Sequence, residues 1–414
     1  MLKLLNNQKL VVGYDLNDDY SQISYWVSDS DNVETLSMVA GAEDFNIPTV
    51  LCKREGVNQW FCGKEAVRYH EENNGILVKE LVTLAVDGEP ILIEGNAVDP
   101  VSLLTLFLKR SLGLLAQVSA PDKITAIIFT CKDMDARTLE VLKRAVADLH
   151  LKTDKVFFQS HTESFYHFML QQEQELWKGR VVLLRCATEV VEAYVLECNH
   201  RTTPVVVYIE EKSYPFTTIP ERMDSELLSI AEDVCSGNWV SAVYLIGEQF
   251  GEDWLDESLR FLCRGRRVFQ GSNLFSKGAC YGMVERIHPG EAGKNHVFLG
   301  REKLKVNVGM KIFSQGEENY LALLDAGVNW FESEHTFEFY LQDGNRIELI
   351  ITSLTGKENK LVEIELPDLP GQLSRLRANV KFKNENCMLV SIEDLGLGAF
   401  REATHHIWKE EIEL

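Results

Sequence analysis

Residues 10–27, LVVGYDLNDDYSQISYWV, carry the reading on which the rest of the chain depends. Two β-type runs, Leu10–Asp15 and Ser21–Val27, flank the polar turn Asn17-Asp18-Asp19. β-Branched and aromatic residues favour extended backbone and clustered Asn and Asp favour a turn, so the segment is a strand pair. Thr49–Lys53 and Gln59–Cys62 repeat the pattern around Gly56. Asp99-Pro100 then supplies an N-cap and a first-turn proline, and Leu103, Leu104, Phe107 and Leu108 keep helical spacing up to Gly113. Thr125–Thr130 reads as a buried strand that feeds a helix from Asp135, with Leu139, Leu142, Val146 and Leu149 on one face. Val156–Gln159 is a further strand, and Ser160-His161-Thr162-Glu163 fits a capping box. The hairpin-like pair Arg180–Cys186 and Val190–Cys198, a helix at Glu221–Val234 and the strand Ala242–Gly247 complete an α/β region with a mixed sheet.

The pattern changes after Met283. His288–Asn295 is polar, with one proline and two glycines, and residues 288–300 read as a linker after an α/β domain of residues 1–287. Residues 301–414 alternate at period two over seven or eight short runs separated by turns, the pattern of a β-sandwich. The end, Phe400–Leu414, fits either a strand or a short helix.

Composition restricts the function. The 63 acidic and 42 basic residues of the 414-residue chain leave a net charge of −21, which repels phosphate backbones and anionic membranes. The acidity is spread through both regions, −7 falling in residues 301–414, so it reads as solubility and not as an acidic arm. Neither nucleic acid nor membrane is expected as a partner. No apolar run approaches the ~20 residues of a membrane span, and the start lacks the features of a signal peptide. Nine scattered cysteines without a CxxC pair read as buried thiols of a reducing, cytoplasmic compartment.

The order of segments resembles that of a DnaK-type heat-shock chaperone, of the actin-like ATPase superfamily, over nearly the whole chain. Val12-Gly13-Tyr14-Asp15-Leu16, running into Tyr20, sits where that family has its first phosphate loop. Ile47-Pro48-Thr49-Val50 and Gly63-Lys64-Glu65-Ala66 match its next hairpin; Lys132–Ala147 and Ser160–Leu170 resemble the segment joining its two lobes. Ile246-Gly247 resembles the strand end of its adenosine motif, and Ala279-Cys280-Tyr281-Gly282 its closing helix. Val306–Met310, Glu363–Val380 and Met388–Asp394 are similar to strands of its substrate domain. The resemblance implies an actin-like domain of duplicated ribonuclease-H-like lobes, then an all-β sandwich that binds protein or peptide.

The chemistry that the resemblance calls for is altered. Asp15 is kept, but glycine and two threonines become Asn17, Asp18 and Asp19, whose carboxylates are expected to face phosphate oxygens; unit charges at 4 Å repel by about 4 kcal/mol at an effective dielectric of ~20. The second phosphate loop falls on Arg185–Val190, RCATEV, without the glycine that close approach to a polyphosphate needs. The expected glutamate aligns with Ser160, the second adenosine-motif glycine with Glu248, and only Cys235–Val240 stands where an adenine-holding subdomain would lie. The expectation is a non-enzymatic scaffold with no cofactor, its vestigial nucleotide positions being Gly13, Asp15, Arg185 and Gly247. An active Mg-ATP-dependent chaperone or ATPase is the first alternative, an actin-like assembly protein the second.

Other candidates have plainer explanations. Glu163 and His167 share a helix face but lack a third metal ligand, and the adjacent His405 and His406 cannot share one. Cys131 and Cys186 each adjoin a cation, and Cys235 does not; all three read as structural. Gly396-Leu397-Gly398 reads as a turn, and Glu248, Glu252, Asp253, Asp256 and Glu257 as a solvated helix N-terminus. In the β region, Phe337 and Phe339 alternate onto one face and, with Tyr340, are the candidates for contact with an extended peptide.

Overall fold

The LVVGYD run forms β1 (Leu10–Asp15), buried along its whole length, and the turn after it leads into β2 (Tyr20–Val27). The computed structural model describes residues 9–414 apart from 29, 31, 40, 120–122, 188, 252, 315 and 355–358. The chain forms two units, Met1–Val297 and Phe298–Leu414.

In the first unit β1, β2 and β3 (Glu34–Thr35) form an antiparallel meander, with β4 (Ile47–Pro48) also on β2. A small region follows: β5 (Leu51–Lys53), β6 (Trp60–Cys62), α1 (Lys64–Asn73), β7 (Ile76–Val78), α2 (Leu81–Asp87) and the hairpin of β8 (Ile91–Ile93) and β9 (Asn96–Val98). Next come α3 (Pro100–Gly113), β10 (Ile124–Cys131), α4 (Ala136–Leu149), β11 (Val156–Ser160) and α5 (His161–Leu170). Asp99, Asp135 and Ser160 cap α3, α4 and α5, each accepting a backbone N–H three residues on. Strands β10 and β11 run parallel to β1, giving the order β11-β10-β1-β2-β3.

The chain then repeats this plan. An antiparallel meander of β12 (Arg180–Ala187), β13 (Val190–Asn199) and β14 (Val205–Pro215) is followed by α6 (Pro220–Val234) and β15 (Val240–Ile246). Then come α7 (Glu257–Leu262), β16 (Arg267–Gly271) and α8 (Leu274–Ile287). With β15 and β16 parallel to β12, the order is β16-β15-β12-β13-β14, the same sequence of positions and polarities as the first sheet.

The last helix of each half reaches the sheet of the other. Ala279, Cys280 and Met283 of α8 pack with Val11, Ala126 and Ile128 of the first sheet, while Phe168 of α5 meets Tyr244 of the second at 5.7 Å. The helices approach so closely that a Cβ on Gly278 would lie 1.9 Å from the Ser164 carbonyl oxygen, which leaves glycine as the residue that fits.

Residues 288–300, expected to be a linker, instead hold α9 (Glu291–Asn295) and β17 (His296–Phe298), which pairs with β14. His296 Nδ1 lies 2.8 Å from the Ala292 carbonyl oxygen, and the short HVF run continues as strand.

The second unit has two four-stranded antiparallel sheets. One is ordered β19-β18-β21-β22, from β18 (Val306–Ser314), β19 (Glu317–Leu324), β21 (Arg346–Ser353) and β22 (Asn359–Glu365). The other is β20-β23-β24-β25, from β20 (Glu334–Leu341), β23 (Ser374–Asn384), β24 (Cys387–Asp394) and β25 (Ile407–Glu413). Period-two alternation is plain in β23, where Leu376, Ala378, Val380 and Phe382 are buried and Arg375, Arg377, Lys381 and Lys383 are exposed. The undecided C-terminal stretch is β25, with Trp408 and Ile412 buried. Among the described residues no helix is long and apolar enough to cross a membrane.

Candidate functional site

The two halves of the first unit meet at the ends of their central strands. Asp15 closes β1 with 2% exposure, and its Oδ1 lies 2.8 Å from Nε2 of the fully buried His161, the first residue of α5. Asn17 Nδ2 donates to the same oxygen at 3.0 Å. The His161 ring stacks on Phe275 of α8, centroids 3.9 Å apart and planes 7° from parallel, and Phe275 in turn meets Tyr194 edge-on. Asp15, kept where a magnesium-assisting carboxylate is called for, is thus engaged by side chains of its own chain.

Beside this pair, Arg185 Nη1 of β12 donates to Glu192 Oε2 of β13 at 2.9 Å. Tyr194 donates to the same oxygen at 3.1 Å, and Lys132, just after β10, donates to Oε1 at 2.5 Å. Burial works to raise the Glu192 pKa, but the guanidinium and ammonium outweigh it and hold the carboxyl at about 2. Burial likewise opposes the Arg185 charge, and Glu192 more than restores it. Tyr20 is raised by burial, with Arg185 opposing and Asp15 adding to the rise. Lys132 joins the first half to Glu192 of the second, and a further bridge runs from Gln22 to Asn46 (2.7 Å) and from Asn46 to Glu248 (2.5 Å). Gln22 also donates to the Ser272 carbonyl at 2.9 Å. Arg185, Glu192 and Lys132 are thus paired with one another, and Asp15 is held by His161 and Asn17.

The residues singled out in the sequence take specific places. Asp15 and Arg185 reach this junction. Gly13 does not line a phosphate cradle: its Cβ would lie 2.3 Å from Cys280 N and 2.4 Å from the Ser276 carbonyl oxygen, so it admits α8 against β1. Gly247, at φ +126°, turns the end of β15 where a Cβ would lie 2.6 Å from the Cys186 carbonyl oxygen. Asp18 does not face the junction as expected. Its carboxylate accepts from Val82 N (2.7 Å), Thr83 N and Thr83 Oγ1, capping α2, whose own N-cap residue Glu80 supplies no side-chain bond. Ser160 caps α5 through the Glu163 N–H at 3.3 Å. Thr188 and Glu252 lie outside the described residues.

His161, Glu192, Lys132 and Tyr194 belong to this candidate site and were not singled out for it in the sequence. A signal existed for Glu192: once the hairpin turn is placed near residue 189, Arg185 and Glu192 fall directly opposite one another, as the register has them. Nothing local marks His161, which enters through the packing of α5 and α8.

The remaining candidates have structural surroundings. Glu163 lies 3.7 Å from His167 and 3.8 Å from Arg286, a cation where a third metal ligand would be needed. Cys186 donates to Gln249 Oε1 at 2.7 Å and is pushed up to about 12 by burial, which also raises Cys235. Gly396 and Gly398 both have positive φ, as a turn requires. In β20, Phe337 and Phe339 sit together at 5.5 Å, half-buried opposite Ala378 and Leu376. Tyr340 is 62% exposed and projects to the opposite face, so the three do not form one surface.

A family described as a family of unknown function, DUF5716, C-terminal, matches residues 32–301, and a domain of unknown function, DUF8552, matches residues 303–414. The first match spans more than half of the chain, and the chain belongs to that family. No curated protein matches it.

Proposed function

We propose that this DUF5716 member is a non-catalytic, chaperone-like scaffold in which side chains replace nucleotide as the tie between two actin-like lobes. The observation that carries the proposal is the buried Asp15–His161 contact together with the buried Arg185–Glu192 pair, which half-exposed Lys132 joins from the other half, at the place where the resemblance calls for phosphates and their metal. An actin-like, ribonuclease-H-like duplication is supported by the identical order and polarity of the two sheets, by the packing of α8 on the first sheet and by the contact of α5 with the second. The adenine-holding segment is correspondingly short, with only residues 235–239 between α6 and β15. Two antiparallel sheets with alternating burial in residues 306–413 support a β-sandwich, the part expected to bind an extended protein or peptide segment.

Calorimetric titration of the full chain with Mg-ATP and Mg-ADP, alongside a thermal-shift scan, tests this. A ligand at 100 times its dissociation constant stabilises a fold by about 2.7 kcal/mol, a readily measured shift. The expected result is no heat and no shift at millimolar nucleotide. Micromolar binding, with turnover lost in Asp15→Ala, would overturn the proposal in favour of an active chaperone or ATPase. The binding role is tested by anisotropy of labelled, extended apolar peptides added to the full chain. Saturable binding, unchanged by Mg-ATP, is expected; absence of binding would remove that role.

A further inference from the structure

We propose that Cys387, Glu411 and Glu413, on the paired strands β24 and β25, form a site for a thiophilic divalent cation, zinc above all. Cys387 lies directly opposite Glu413 in the strand register, and Glu411 is two residues back on the same face of β25. One ligand atom from each of the three lies within 4.8 Å of the others. Ligands at about 2.3 Å for sulfur and about 2.0 Å for oxygen stand nearer together than that around a tetrahedral ion, so small side-chain rotations close the site. Paired strands fix the three backbone positions before any ion arrives.

A second observation concerns the thiol. Met388, Val390 and Ile392 are the buried face of β24, so Cys387 is on the opposite, outward face, yet it is only 1% exposed. It donates to Glu411 Oε1 at 3.2 Å, a proton standing between sulfur and oxygen where a cation would bridge them. Binding exchanges that proton for the metal: the S–H bond breaks, a sulfur–metal bond forms, and the proton leaves to solvent.

The donor set selects the ion. One thiolate with two carboxylates suits zinc, whereas calcium and magnesium take oxygen ligands. Lys383, reaching across from β23, is the competitor, its ammonium 2.8 Å from Glu411 Oε1. That ion pair is exposed and therefore weak, so a divalent ion displaces it readily.

The test is titration of the metal-stripped full chain with cobalt(II), followed by zinc. A thiolate-to-cobalt charge-transfer band that zinc then bleaches is expected. Cys387→Ser should abolish the band, and Cys263→Ser, at an exposed thiol, should leave it. Glu411→Gln and Glu413→Gln should each weaken the metal by roughly tenfold or more. Lys383→Ala should strengthen it by freeing Glu411, an outcome that a merely folded-state role of these residues would not produce. Circular dichroism of each variant reports whether it is folded. The absence of a band, or a band that survives Cys387→Ser, overturns the site.

Discussion

Glu192 receives donors from Arg185, Tyr194 and Lys132, and its environment sets two expectations. Arg185→Ala removes the main counter-charge of a buried carboxylate and is expected to cost about 3–5 kcal/mol in urea unfolding, because the remaining charge is under-compensated. Replacing Arg185 and Glu192 together by Met and Leu should cost much less, since the one charge then left without its partner, Lys132, is half-exposed to solvent. The pH dependence has a definite sign. A carboxyl held at about 2 is deprotonated in the folded protein while the unfolded chain, near 4.5, takes up protons first. The stability it contributes is full above about 4.5 and is lost as the pH falls toward 2, and Glu192→Gln should flatten that part of the acid-unfolding curve. The Arg185–Glu192 pairing follows from the hairpin register, but Lys132 lies 60 positions away and reaches Glu192 only through the fold.

At the scale of elements, several helices depend on groups that are not their own. The short helix α7 begins at Glu257 without a side-chain cap from its N-cap residue Asp256. Asp224, on α6, instead accepts from the Ser258 hydroxyl and from the N–H groups of Asp256 (3.2 Å), Glu257 (2.8 Å) and Ser258 (3.0 Å), and these bonds, outweighing burial, lower its pKa. Asp224→Ala should therefore destabilise the first unit by about 1–2 kcal/mol in thermal unfolding, the range of a lost cap. The crossing of α5 and α8 sets a steric limit. A methyl at Gly278 would strike the Ser164 backbone 1.9 Å away, so Gly278→Ala should force the helices apart and cost about 1–3 kcal/mol or more. A midpoint unchanged within error would show that α8 moves freely there. The caps at Asp99, Asp135 and Ser160 were legible because each donor lies three residues away; the caps from Asp18 and Asp224 were not, because each reaches another element through space.

At the scale of the whole molecule, Lys132–Glu192 and Asn46–Glu248 add polar bridges to the helix packing between the two halves of the first unit. Lys132→Ala combined with Asn46→Ala should speed amide hydrogen exchange in β2 and β13, and Mg-ATP should not restore protection. Protection regained with nucleotide would contradict the proposed scaffold. The sequence by itself determined many of the strands and helices and their order, the change to period-two alternation in the C-terminal region and the absence of glycine from Arg185–Val190. Those properties reside in neighbouring residues, where backbone propensity and the spacing of apolar side chains act. Tertiary structure alone decided that Asp18 caps α2, that Gly13 admits a helix, that residues 296–298 add a strand to the second sheet, and that His161 and Lys132 meet Asp15 and Glu192. Each of these is a contact between residues far apart in the chain, and its geometry exists only after the sheets have formed and the helices have packed between them.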